Sequence, residues 1–123
     1  MCQASPFGRG PTAANSLRVR QFPTGSDLEI IPVQNAAPEF PSFSPDGNYV
    51  YFCKRKPDAP NYRMLMNIPS LGGREQQKGF DVDTRLAFSP DGTRACFARN
   101  YPQSGYSVLM MLHLQTGKDK ELV

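Results

Sequence analysis

Residues 43–52 read Phe43-Ser44-Pro45-Asp46-Gly47-Asn48-Tyr49-Val50-Tyr51-Phe52, and residues 88–97 read Phe88-Ser89-Pro90-Asp91-Gly92-Thr93-Arg94-Ala95-Cys96-Phe97. The two copies start 45 residues apart (88 − 43 = 45). Within each copy, Pro presets φ for the first central position of a type I turn. Asp suits the second position, and Gly takes the left-handed conformation that follows. Hairpin loops closed by a bulged Gly are built this way. Ser44, Pro45, Asp46 and Gly47 are therefore predicted to join a strand at 39–43 to one at 49–54. Ser89, Pro90, Asp91 and Gly92 are predicted to join 85–88 to 94–99.

A second marker repeats independently. Gly25, Gly72 and Gly117 each end a strand-like run, with separations of 47 (72 − 25) and 45 (117 − 72) residues. Eight and six positions before these glycines lie Leu17 and Val19, Met64 and Met66, Leu109 and Met111. Apolar residues at a period of two line one face of a strand. In the last copy the other face is apolar as well, through Val108, Met110, Leu112 and Leu114, which predicts a strand covered on both sides. The methionines read as core filler rather than as a metal or cofactor site.

A period near 45 with hairpins throughout and no helical periodicity predicts an all-β fold, a partial β-propeller of about two and a half four-stranded antiparallel blades. Residues 1–15 are expected to be a disordered or truncated start. Residues 16–32 read as the last two strands of a blade, and 39–81 and 85–123 as two complete blades. Propellers close with about four to eight blades, and 123 residues hold fewer than three. The expected partners are therefore the remaining blades of a parent chain, or further copies of this one. Phe43, Phe52, Phe88 and Phe97 are expected to be buried at equivalent places, while Leu17 and Val19 are expected to face outward without a covering sheet.

Charge argues against nucleic acid, since 14 basic and 11 acidic residues leave a net charge of only +3. The cluster Lys54-Arg55-Lys56 reads as a solvated loop edge. No apolar run approaches the roughly 18 residues of a membrane span. Residues 1–15 show no apolar signal segment, and Cys2 does not read as lipidated. Cys53 and Cys96 share strand parity, so they fall on the same face of successive blades and should not meet.

The search for chemistry returns little. His113 has no second histidine, cysteine or carboxylate at ligand spacing. No G-x-S-x-G elbow and no set of kinase signatures is present. Asp81 and Asp83 lack the glycine and glutamate of a calcium loop and read as a solvated inter-blade turn. Asp46 and Asp91 read as turn formers. No catalytic, cofactor-binding or metal-binding residue is expected, and neither is an enzyme.

The two FSPDG segments resemble the Pro-Asp β-propeller repeat of the TolB family, and Leu109–Lys118 resembles its strand–turn pattern, with His113 where an acidic residue is common. Residues 16–32, the insert Lys54–Arg63, Ser70-Leu71-Gly72-Gly73 and Phe80-Asp81-Val82-Asp83 are similar to the sensor propellers of bacterial proteins that join a serine/threonine kinase or a winged-helix domain to a propeller. The resemblance covers about residues 16–123. It implies a non-catalytic, extracytoplasmic domain that recognises a protein or small ligand, a fragment of a signalling or envelope protein. Two other readings are the propeller cap of a prolyl-oligopeptidase-like serine hydrolase and a TolB-like envelope component that docks proteins.

Overall fold

The computed structural model describes residues 2–7, 16–21, 27–32 and 37–122. Among these there is no helix; eleven strands form three antiparallel sheets. The chain is all-β, a partial β-propeller. The first sheet orders β1 (Cys2–Phe7), β2 (Ser16–Gln21) and β3 (Asp27–Ile31). The second orders β4 (Glu39–Phe43), β5 (Tyr49–Lys56), β6 (Ala59–Pro69) and β7 (Gln76–Phe80). The third contains β8 (Ala87–Phe88), β9 (Arg94–Tyr101), β10 (Tyr106–His113) and β11 (Asp119–Glu121), each paired with the next.

The start at 1–15, expected to be disordered or truncated, contains a strand at Cys2–Phe7, so the first sheet has three strands where two were expected. Cys2–Phe7 pairs along all of β2, from Cys2 opposite Gln21 to Phe7 opposite Ser16. Residues 8–15 lie outside the described residues.

Burial follows from sheet alternation. Val50, Phe52, Met66 and Ile68 of the second sheet meet Leu17, Val19, Ile30 and Ile31 of the first in one core. On the opposite face, Tyr51, Cys53 and Leu65 meet Ala95, Phe97, Met110 and Leu112 of the third in a second core. The second sheet is thus covered on both sides.

Three expectations about faces change. Leu17 and Val19 are buried against the second sheet, not outward. Leu109 and Met111 are not equivalent to Met64 and Met66, because Phe52 pairs with Met66 whereas Phe97 pairs with Met110. The glycine count is one residue out in the last copy, and a shift of one reverses every side chain. Phe52 and Phe97 are fully buried, but Phe43 and Phe88 only half-buried. Each ends an inner strand immediately before its turn, where less covers it. Phe88 still packs edge-on against Tyr51, with ring centroids 5.1 Å apart.

Candidate functional site

The repeated turns are closed by the same set of bonds. The Gly47 N–H donates to Ser44 O (2.9 Å) and the Gly92 N–H to Ser89 O (2.9 Å). The serine hydroxyl donates to the aspartate Oδ1, at 2.6 Å in Ser44–Asp46 and 2.7 Å in Ser89–Asp91. The same carboxylates accept the backbone N–H of Asn48 (2.9 Å) and of Thr93 (3.0 Å). The glycines hold φ of 77° and 73°, a left-handed conformation that a Cβ disfavours. Pro45 and Pro90 occupy the first central positions. Gly72 and Gly117 accompany comparable turns, their N–H groups donating to Pro69 O and His113 O. Gly25 lies outside the described residues.

These bonds hold the Asp46 carboxyl below its ordinary value, the serine hydroxyl contributing most. Asp91 is lowered to about 2 in the same way. A carboxyl depressed by folding adds stability that is complete above its unfolded value, 3.8 here, and is lost as the pH falls through the folded one. Asp81 has the opposite sign, because burial raises its carboxyl against the pull of Arg99. Its contribution is present below the unfolded value and lost as the pH rises. Stability is therefore expected to drop between about pH 4 and pH 2. Asp91→Asn, which keeps an acceptor oxygen but does not titrate, is expected to flatten that drop in urea melts run from pH 2 to pH 6. An unchanged acid limb would remove the turn carboxylate from the account.

Two clefts open between the second and third sheets, at opposite ends. One, about 600 Å³, lies at the turn end and is lined by Asp46, Tyr49, Asn67, Lys78, Asp91 and Gln115 among others. The other, about 620 Å³, lies between the β5–β6 and β9–β10 hairpins, with Arg55, Asn61, Tyr62, Asp83, Asn100 and Tyr101 in its walls. The insert Lys54–Arg63, which forms one wall, is an extended hairpin rather than a loop, since β5 runs to Lys56 and β6 begins at Ala59. Of the basic cluster, Arg55 is exposed and Lys56 partly exposed beside the turn, whereas Lys54 departs from the solvated loop edge expected of it. Lys54 pairs with Glu75 at 2.7 Å while only 17% of its side chain is exposed. Arg55 donates to Pro60 O at 2.8 Å, and Lys56 pairs with Asp58 at 2.8 Å.

The floor of the hairpin-end cleft is an ion-pair network. Arg63 reaches Glu39 through Nε (3.1 Å) and Asp83 through Nη1 (3.1 Å), and lies over the Phe40 ring at 5.3 Å. Asp83 has a side chain only 7% exposed and accepts the Asn100 N–H through Oδ2 at 2.8 Å. Arg99 pairs with Asp81 (3.3 Å) and Asp119 (2.9 Å). This replaces the solvated inter-blade turn expected at Asp81 and Asp83 with a linker tied to both sheets. Phe40 and Asp81 are the non-glycine residues with positive φ among those described, at 55° and 59°. Such backbone costs about 1–3 kcal/mol each and persists where neighbours enforce it. Both flank Arg63, whose carbonyl accepts the Asp81 N–H at 2.7 Å.

The sequence reading missed Glu39, Arg63 and Arg99. The signal available was a set of arginines placed in otherwise apolar strands. His113 is exposed on β10. Cys53 sits in the second core and Cys96 on the far face of the third sheet, both as free thiols. Burial pushes the Cys53 thiol up to about 12, a protonated packing group rather than a nucleophile at neutral pH.

No protein-family model matches the sequence, and no curated protein matches it. Solved structures do resemble the fold. An oligogalacturonate lyase in complex with manganese gives a TM-score of 0.71 at 12% identity, over 94% of this chain and 31% of that one. A dipeptidyl aminopeptidase IV-type protein from Bacteroides ovatus gives 0.69 at 16% identity, over 89% of this chain and 19% of that one. The β-propeller domain of the Trilobed protease from Pyrococcus furiosus gives 0.62 at 11% identity, over 89% of this chain and 35% of that one. The chain therefore spans about a third or less of the length of each. At these identities the likeness concerns the fold.

Proposed function

We propose that this chain is a recognition segment of a larger β-propeller, non-catalytic, in a bacterial signalling or envelope protein of the TolB-repeat type. The observation that carries the reading is an asymmetry between equivalent faces. In the second sheet, Tyr51, Cys53 and Leu65 are buried by the third. The matching residues of the third sheet are Cys96, Ala98 and Leu109. Of these, Cys96 and Ala98 are half-buried, Leu109 is 60% exposed, and Met111 beside them is half-buried. A blade face of this composition calls for another four-stranded blade. The arginines and aspartates of the hairpin-end cleft are engaged in linking the sheets, which suits a rigid scaffold carrying a binding surface.

The test is sedimentation velocity on the purified chain across a concentration series. Self-association is expected, and Leu109→Asp/Met111→Asp is expected to shift the protein toward monomer. A monodisperse wild-type monomer with cooperative unfolding would overturn the segment reading.

A second reading, the propeller cap of a serine hydrolase, draws on the likeness in fold to a dipeptidyl aminopeptidase IV-type protein and to the β-propeller domain of a protease. The coding sequence on either side of this segment separates the two, since a neighbouring α/β-hydrolase domain would favour the cap.

A further inference from the structure

We propose that the cleft between the β5–β6 and β9–β10 hairpins binds an uncharged, polyhydroxylated ligand, a short neutral saccharide. The proposal rests on the recognition reading above and adds a ligand class to it. A cleft of about 620 Å³ falls inside the range of about 300–1,000 Å³ that small-molecule sites occupy.

The charged groups in its walls are Arg55, Arg63, Asp81 and Asp83, two of each sign. Arg63 is held by Glu39 and Asp83, and Asp81 by Arg99. Arg55 lies 3.7 Å from Glu39 and donates to Pro60 O. The charges cancel within the protein, so the cleft offers an ionic ligand no net attraction.

What remains for a ligand is uncharged. Tyr62 is 45% exposed, and its ring is stacked on Phe80 with centroids 5.4 Å apart and planes 22° from parallel. That stacking fixes the ring as a flat platform. Across the cleft, Tyr101 packs on Tyr106 at 5.4 Å. Asn61, Gln103 and Ser104 stand exposed in the same walls. The Asn100 side-chain oxygen accepts the Ser107 hydroxyl at 2.7 Å, which leaves its amide N–H groups to donate elsewhere. Aromatic faces take the C–H faces of pyranose rings, and amides and hydroxyls pair with sugar hydroxyls. A peptide would also use amides, but its charged termini and side chains would find no unpaired charge here.

The experiment is isothermal titration of the chain with cellotetraose, maltotetraose and tetra-N-acetylchitotetraose, with tetragalacturonate and tetraglycine as the charged and peptide arms. At least one neutral saccharide is expected to bind. Tyr62→Ala is expected to weaken that binding at least tenfold. Because Tyr62 also packs on Phe80, Gln103→Ala, at an exposed position, serves as a second variant, expected to weaken binding several-fold with an unchanged melting curve. Tyr49→Ala, in the opposite cleft, is expected to leave binding unaltered. Binding of tetragalacturonate or tetraglycine alone, disturbed by the same variants, would overturn the saccharide assignment while leaving the recognition reading in place. Saccharide binding insensitive to Tyr62→Ala and Gln103→Ala would overturn the site. Silence from every probe would overturn the ligand class, whereas failure of the segment reading would show in sedimentation instead.

Discussion

Replacing Phe52 with Ala is expected to lower the unfolding free energy by about 3–5 kcal/mol, the range for truncating a large aromatic in a packed core. Phe52 is 0% exposed and stands between the first and second sheets, among Leu17, Val19, Ile31 and Met66. Its neighbours belong to strands that the ladder holds in place, so the space vacated cannot collapse without shifting a sheet. For a domain whose whole stability is about 5–15 kcal/mol, that is a large share. Phe88→Ala is expected to cost less, about 1–2 kcal/mol, because Phe88 is half-buried and loses chiefly its edge contact with Tyr51. Tyr49→Ala, on an exposed side chain, should fall within about 0.5 kcal/mol of wild type. Urea unfolding of the three variants checks the order. Equal losses at Phe52 and Phe88 would show that Phe88 is packed as fully as Phe52, against the structure.

The repeat was legible because turn chemistry is local. Ser, Pro, Asp and Gly in that order act on their own backbone, and the bonds that close the two turns join residues at most five apart. The all-β propeller architecture followed from the spacing of those turns. Which face of a strand turns inward was less legible where it was reached by counting from a distant glycine. Leu109 and Met111 were matched to Met64 and Met66, places that Val108 and Met110 hold, because the count back from the glycine differs by one residue between blades. The first sheet kept its third strand hidden because Cys2–Phe7 carries no alternation that singles it out. The polar floor of the hairpin-end cleft could not be read at all. Arg63 meets Asp83 across 20 residues and Glu39 across 24. Nothing in the local sequence of any of the three selects the others. Asp83 looked like a loop aspartate, and only the closing of the third sheet over the second removes it from water.

Arg63→Met is expected to cost about 2–4 kcal/mol, somewhat below the 3–5 kcal/mol lost when one partner of a fully buried pair is removed, since 17% of the arginine side chain is exposed. The loss comes from what is left behind. Asp83, 7% exposed, would keep the Asn100 N–H but no cation. Glu39 would retain only the longer contact to Arg55 at 3.7 Å. The aliphatic part of Met preserves packing over Phe40, so the change isolates charge from volume. Asp83→Leu in the same chain removes the stranded carboxylate, and the double variant is expected to recover a good part of the stability lost by Arg63→Met. A positive coupling of about 1–3 kcal/mol in the double-mutant cycle is the signature. Strict additivity would mean that the two side chains do not act on each other, and that the linker 81–84 is held without their pair, by its backbone bonds to Arg63 and Ala98 and by its contacts with Arg99 and Asn100. In that case the positive φ of Asp81 would rest on those bonds as well, and Arg63→Met would leave the hairpin-end cleft unchanged.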